Sequence, residues 1–256
     1  MADAPPVVLV FAGNDPVGGA GLAADIETLV ANGCYPAPVV TAITVQDTSG
    51  VSRVEPVAVE LVEQQARAVL QDLPVTAIKT GLLATNENVA LVTALAKEFD
   101  LPLIVDPVMK SGTGDDLASE TLHDSYRQLL LPVALLVTPN TLEARELGNT
   151  DDTETQVVNI INTGCQWVLI TGTHEQQPDI CHRLYSSDGL VKTIRQPRLR
   201  GEYHGSGCTL ASACAAGIAR QQEMQSLVVQ ALAYTQATLE SAFQLGKVQQ
   251  LPNRMQ

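Results

Sequence analysis

Val7-Val8-Leu9-Val10-Phe11-Ala12-Gly13-Asn14-Asp15-Pro16-Val17-Gly18-Gly19-Ala20-Gly21-Leu22 passes from six apolar residues through a loop signal into a helical pattern. A short, fully apolar run suits a strand buried on both faces of a parallel sheet. Gly13-Asn14-Asp15-Pro16 ends it. Downstream, Leu22, Ile26, Leu29 and Val30 recur at helical spacing, and Asn32-Gly33 supplies a stop. Asp25 lies three residues after Leu22 and four before Leu29, so it is expected to border the buried stripe. An acid there is either a partnered structural carboxylate or a group pointing into a site near the helix start.

The strand–helix unit recurs. Val39-Val40-Thr41-Ala42-Ile43-Thr44-Val45 reads as a strand ending in Gln46-Asp47-Thr48-Ser49-Gly50. Helices are expected over about 60–70, 86–99, 118–130 and 153–162. They alternate with strands at 77–81, 103–109, 135–140 and 167–172. This alternation predicts a mostly parallel sheet with helices on both faces, a three-layer α/β/α sandwich. After Thr171 the rhythm changes: Arg183-Leu184-Tyr185 and Val191-Lys192-Thr193-Ile194 flank Ser187-Asp188-Gly189 as an antiparallel hairpin. A small-residue helix and a final one, about 223–245, complete a single domain over 1–256.

The chain of 256 residues carries 15 basic and 28 acidic side chains, a net charge of −13. That balance disfavours nucleic acid and anionic membranes, whose binding depends on a positive field. Cys34, Cys165, Cys181, Cys208 and Cys214 are odd in number without C-x-x-C spacing, so neither a zinc site nor a disulfide framework is indicated. No apolar run reaches membrane-spanning length, and the N-terminus lacks the cationic flank of a signal peptide. The expectation is a soluble, cytoplasmic protein.

Polar residues cluster at strand ends. Gly13-Asn14-Asp15, Gln46-Asp47, Thr80-Gly81, Asp106-Pro107, Asn140 and Thr171-Gly172 all follow a strand's carboxyl end, the edge where open α/β sheets bind ligands. Gly19-Ala20-Gly21-Leu22-Ala23-Ala24 fits a loose dinucleotide pattern, but too many residues separate it from the strand. No G-x-x-x-x-G-K-S/T sequence is present, which excludes a Walker-type loop. In Gly205-Ser206-Gly207-Cys208-Thr209-Leu210, a glycine-bracketed turn opens a helix rich in alanine. Its free N–H groups and dipole suit an anion such as a phosphoryl group; a plain helix start packed through small residues is the alternative. Asn140 can cap the helix after it, with Glu143 completing a capping box, or the pair can lie near a Mg²⁺ carrying nucleotide phosphates. Four histidines show no ligand spacing, and only His204 abuts the anion turn.

Together these stretches resemble the hydroxymethylpyrimidine/phosphomethylpyrimidine kinases of thiamine biosynthesis, within the ribokinase-like superfamily. The resemblance rests on Ala12-Gly13-Asn14-Asp15-Pro16-Val17-Gly18-Gly19-Ala20-Gly21-Leu22-Ala23-Ala24-Asp25, on Thr41 to Thr48, on Asp106-Pro107-Val108-Met109, on Thr138 to Glu143 and on His204 to Leu210. It implies a ribokinase-like fold, ATP and Mg²⁺ as cofactors, a homodimer, and two successive phosphorylations: of 4-amino-5-hydroxymethyl-2-methylpyrimidine, then of its monophosphate. Gly13, Asp25, Gln46 and Val108 match pyrimidine-binding positions, and Leu82 stands where the family has methionine. Gly205, Ser206 and Gly207 match the anion hole, Cys208 the catalytic cysteine, and Asn140 and Glu143 the motif for Mg²⁺ and phosphate. Thr171 occupies the position of a nucleotide-contacting lysine. The cysteine separates the chain from sugar kinases, which carry aspartate there. A thiol at a helix N-terminus is expected to have a lowered pKa and to accept the alcohol's proton. A pyridoxal-type kinase and a non-catalytic pyrimidine sensor are the competing readings.

Overall fold

The computed structural model describes residues 4–109 and 120–255. Among these, nine strands form one sheet: β1 (Val7–Asn14), β2 (Tyr35–Asp47), β3 (Gly50–Pro56), β4 (Val75–Thr80), β5 (Leu103–Val105), β6 (Ala134–Val137), β7 (Trp167–Ile170), β8 (Asp179–Ser186) and β9 (Gly189–Pro197). Their order is β3-β2-β1-β4-β5-β6-β7-β8-β9. The strands from β2 to β7 in that order pair in parallel, while β3, β8 and β9 each run antiparallel to the neighbour on their inner side. Eight helices accompany them: α1 (Gly21–Ala31), α2 (Val59–Asp72), α3 (Asn86–Glu98), α4 (Glu120–Ser125), α5 (Thr141–Gly148), α6 (Thr153–Asn162), α7 (Ser206–Ala219) and α8 (Met224–Glu240).

β1 explains the layers. Side chains alternate along a strand, and here both sets are apolar. Val7, Leu9 and Phe11 enter a core built with residues of α2, α3, α4, α5 and α6. Val8, Val10 and Ala12 enter a second core shared with α1, α7 and α8. The sheet is therefore covered on both faces, as the continuous apolar runs require. From β1 the chain moves outward to β2, then crosses to β4 on the other side. That reversal opens a crevice at the carboxyl ends of β1 and β4. No helix among the described residues is long and apolar enough to cross a membrane.

Several expectations are revised. β3 adds a strand that the apolar pattern does not announce, because its side chains are half-buried or exposed. β2 starts at Tyr35, four residues early, because Pro36 and Pro38 pair only with β1 and leave their donor-free edge unpaired. β5 stops at Val105, where Asp106-Pro107 breaks the ladder. The helix expected over 118–130 begins outside the described residues. From Glu120 it continues to Ser125, then as a π turn over Tyr126–Leu130 and a 3₁₀ turn over Leu131–Val133. α8 ends at Glu240 rather than 245, because Phe243 pairs instead with Leu251. In α1, Val30 is 59% exposed, and the buried face is Leu22, Ala24, Asp25, Thr28 and Leu29. Asp25 thus sits in the middle of the buried stripe, not on its border.

Candidate active site

The carboxyl ends of the strands line a cavity of about 840 Å³, ample for a nucleotide and a second small molecule. Sheet order arranges its wall: Gln46 from β2, Gly13 from β1, Leu82 after β4, Asp106 and Val108 after β5, Asn140 after β6 and Thr171 after β7. Asp47, Thr80, Gly81 and Gly172, expected on the same rim, are not among the lining residues. Gly13 and Leu82 touch: a Cβ on Gly13 would lie 3.3 Å from Leu82 Cδ2. Thr41 Oγ1 donates to Leu82 O, and Thr44 Oγ1 to Asn14 O, fixing this floor. Of the five expected pyrimidine-binding residues, Gly13, Gln46, Leu82 and Val108 meet at the cavity.

Asp25 does not. It is fully buried between α1, β4 and α7, where its Oδ1 accepts from Lys79 Nζ at 2.7 Å and from Ser212 Oγ at 2.7 Å. Its carboxylate is a counter-ion beneath the cavity rather than part of its wall. Lys79 is equally buried and lies 3.8 Å from Asp106 Oδ2. Burial opposes its charge, but Asp25 first and Asp106 also outweigh that and hold its pKa above the usual value. Sequence reasoning passed over Lys79, although a lysine inside Ala77-Ile78-Lys79-Thr80 is the pattern of a paired buried charge.

Gly205 precedes α7 as its N-cap with a left-handed φ of 79°, and no side chain caps the helix. Among the described residues, no protein acceptor takes the backbone N–H groups of Ser206, Gly207 or Cys208. All of residues 205–208 face the cavity. Three free donors at a helix start, opening on a cavity, are an anion site in charge and geometry. Glycine is obligatory at 205, since a Cβ there would stand 1.9 Å from Gly19 O.

The Cys208 thiol overturns the expectation of a lowered pKa. Burial, reinforced by Asp106 and Asp25, raises it well above the ordinary range; Lys79 and the Gly21 N–H only partly oppose this. The helix dipole is outweighed, and the sulfur stands protonated near Asp106, whose pKa it helps to lower. Asp106 is itself raised, by burial first, with Lys79 acting the other way. Its Oδ2 is buried and without a hydrogen-bond partner among the described residues.

Asn140 and Glu143 form the anticipated capping box at the start of α5. Asn140 Oδ1 accepts from the N–H groups of Leu142 (2.9 Å) and Glu143 (3.0 Å), and Glu143 Oε2 accepts from Asn140 N (2.9 Å). Both still line the cavity. With its oxygen engaged, Asn140 offers the cavity only amide N–H donors, which suit a phosphate oxygen and not a cation. Its place among the metal ligands is withdrawn. Glu143 is raised to about 8, by burial first and then by Asp106. Two desolvated carboxyls repelling one another are a donor set that a cation would relieve, so Glu143 fits Mg²⁺. Among the described residues no three His, Cys, Asp or Glu side chains cluster to hold a metal by themselves; Mg²⁺ often takes one carboxylate with substrate phosphates and water. Thr171 lies beside Asn140, to which it is bridged.

His204 is nine-tenths buried. Its Nε2 meets Asp15 Oδ2 at 2.8 Å, while Asp15 also accepts from Val17 N and Ala20 N. These bonds outweigh burial and hold Asp15 below its usual pKa. Toward β8, β9 and α8 the wall continues with Ile180, His182, Gln196, Leu232 and Thr235, none of which sequence reasoning singled out. His182 is pushed down to about 4 by burial, and its Nδ1 has no partner among the described residues.

The sequence model of the phosphomethylpyrimidine kinase family matches residues 15–253. A hydroxymethylpyrimidine/phosphomethylpyrimidine kinase of Streptomyces coelicolor is 39% identical over 248 residues, 94% of this chain and 91% of that one. The enzyme of the same name from Mycobacterium tuberculosis is 39% identical over 251 residues, 95% and 91% respectively. Among solved structures, pyridoxal kinase from Staphylococcus aureus, bound to AMP-PCP and pyridoxal, superposes with a TM-score of 0.90 at 27% identity over 98% of this chain and 94% of that one. The phosphomethylpyrimidine kinase of Clostridium difficile gives 0.79 at 30% identity over 92% and 99%.

Proposed function

We infer that the chain, which belongs to the phosphomethylpyrimidine kinase family, phosphorylates 4-amino-5-hydroxymethyl-2-methylpyrimidine and then its monophosphate at the expense of ATP, on the route to thiamine diphosphate. The observation that carries this reading is one cavity that joins an uncapped helix start at 205–208 to the Gly13–Leu82 floor and to Gln46. Gln46 has a donor and an acceptor for the edge of an aminopyrimidine. The N–H groups of Ser206, Gly207 and Cys208 stabilise the transferring phosphoryl group, whose reaction depends chiefly on positioning and charge. Asn140 donates to nucleotide phosphate. Glu143 is the carboxyl for Mg²⁺, which when bound neutralises phosphate charge.

Proton movement follows from the state of Cys208. The alcohol oxygen bonds to the γ-phosphorus as the bond to ADP breaks. Its proton passes to Cys208 Sγ while the thiol proton passes to Asp106, so no free thiolate is needed. The monophosphate is already an anion when it attacks and needs no such base.

An ADP-release assay with ATP, Mg²⁺ and either the alcohol, its monophosphate or pyridoxal tests this. Turnover with both pyrimidines is expected; release with neither refutes it and leaves a silent sensor. Pyridoxal belongs in the assay because pyridoxal kinases superpose at a TM-score of 0.90, and a higher kcat/KM with pyridoxal would reassign the substrate. The same reading makes the chain a cytoplasmic homodimer of single-domain subunits. Ile43 and Val45, each more than half exposed on β2, support a covered surface there, which light scattering would test.

A further inference from the structure

Arg254 is remote in sequence from residues 205–208 of the anion turn, yet it is among the most deeply buried large side chains. Its Nε donates to Thr209 Oγ1 at 2.8 Å, its Nη2 to Gly19 O and its Nη1 to Glu27 Oε2 at 3.2 Å. Thr209 Oγ1 in turn donates to Gly205 O at 2.9 Å. One planar guanidinium thus bridges two turns. The first is 18–21, which carries Ala20 and Gly21 of the cavity wall; the second is 205–208, the anion site. These turns are in backbone contact, as the 1.9 Å from a Cβ on Gly205 to Gly19 O shows.

The segment before Arg254 is tied to the same place. His204 N donates to Gln250 O, Gln250 N to Glu202 O, Asn253 N to Thr238 O, and Tyr234 OH to Arg254 O. Residues 250–254 therefore strap the approach to the anion turn onto α8. Among the described residues, Arg254 is paired with one acid, Glu27, whose side chain is 44% exposed, whereas that of Arg254 is 1% exposed. The guanidinium thus lies buried directly behind the N-terminal turn of α7.

We propose that Arg254 is a positioning residue for phosphoryl transfer: it locks the turn at 18–21 to the anion turn and adds its buried charge to the field there. This rests on residues 205–208 being the phosphoryl site. A lysine cannot replace it, because a single ammonium cannot span Gly19 O and Thr209 Oγ1 as a planar fork does. Because the turn serves both phosphorylations, the effect falls on both, unlike that of the Cys208 thiol.

The test measures kcat and KM of Arg254→Ala, Arg254→Lys and Thr209→Val with the alcohol and with the monophosphate, below the melting temperature of each variant. Misplacement of a reacting group by about 1 Å costs about a hundredfold in rate. We expect a loss of that order in kcat for Arg254→Ala with both acceptors, a KM for the pyrimidine within threefold, and partial restoration by millimolar guanidinium ion. Arg254→Lys should lose at least tenfold, and Thr209→Val, which keeps the bond to Gly19, about tenfold. A folded Arg254→Ala enzyme with kcat within twofold of wild type overturns the proposal. So does a loss that matches the unfolded fraction and ignores guanidinium. If Arg254→Ala does not fold, an unchanged kcat for Thr209→Val overturns it. Inactivity of the wild-type enzyme on both pyrimidines would instead refute the underlying functional reading.

Discussion

Replacing Lys79 by methionine isolates the buried charge cluster beneath the anion turn. The ammonium lies 2.7 Å from Asp25 Oδ1 and 3.8 Å from Asp106 Oδ2, and all three side chains are at most 6% exposed. Among the described residues, Asp25 Oδ2 and Asp106 Oδ2 already lack hydrogen-bond partners. Without Lys79, the two carboxyls share a desolvated space with no cation paired to them among the described residues. Breaking a buried pair by deleting one member costs about 3–5 kcal/mol, because the surviving charge is uncompensated. At about 2–4 °C per kcal/mol for a chain of this size, the melting temperature should fall by roughly 6–20 °C. Lys79→Met with Asp25→Asn removes both charges while preserving shape and an acceptor for Ser212, and should recover more than half of the loss. The deficit of Lys79→Met should also shrink as pH falls from 7 to 5. The folded state then binds protons that the unfolded state does not, so stability is greatest at low pH and is lost as pH rises. Urea unfolding of the four proteins of this cycle at pH 5 and pH 7 measures both effects. A cost below about 1 kcal/mol for Lys79→Met, a double variant no better than the single, or a pH-independent deficit would refute the cluster.

Glycine geometry makes a paired prediction. Gly205→Ala should abolish turnover, since its φ is 79° and a Cβ would meet Gly19 O, whereas Gly189→Ala, with φ of 97° but nothing within 4 Å, should cost only about 1–2 kcal/mol of stability and keep activity. For Glu143, raised to about 8, the folded state holds a proton that the unfolded state releases near the ordinary carboxyl range. Its contribution to ligand-free stability is therefore complete at low pH and lost as pH rises toward 8. Glu143→Gln should gain on wild type across that window in chemical denaturation, and a constant difference would contradict the assignment. His182, pushed down to about 4, has the opposite sign: stability is lost as pH falls from about 6.5 to 4. His182→Gln should blunt that acid loss in the same experiment.

The layered fold was legible because two-sided burial leaves continuous apolar runs, as in Val7 to Ala12, and the site because polar residues interrupt those runs at one edge. The rest failed for identifiable reasons. β3 is an exposed edge strand and carries no apolar signal. α1 turns Thr28 and Asp25 inward and Val30 outward, because Lys79 and Ser212 satisfy a buried acid that hydrophobicity alone places nearer the surface. The helix end alone predicts an acidified Cys208, whereas burial and two neighbouring acids from other elements decide its state. Arg254 reaches Gly19 across 235 residues, and no local pattern foretells such a contact.

The most direct test compares Cys208→Ala with wild type in the two half-reactions, by ADP release at saturating ATP and Mg²⁺. General-base transfer contributes about 10²–10⁴-fold. Turnover of the alcohol should therefore fall by that factor, and turnover of the monophosphate by less than tenfold. Equal losses with the two acceptors would contradict a proton path through Cys208 and Asp106.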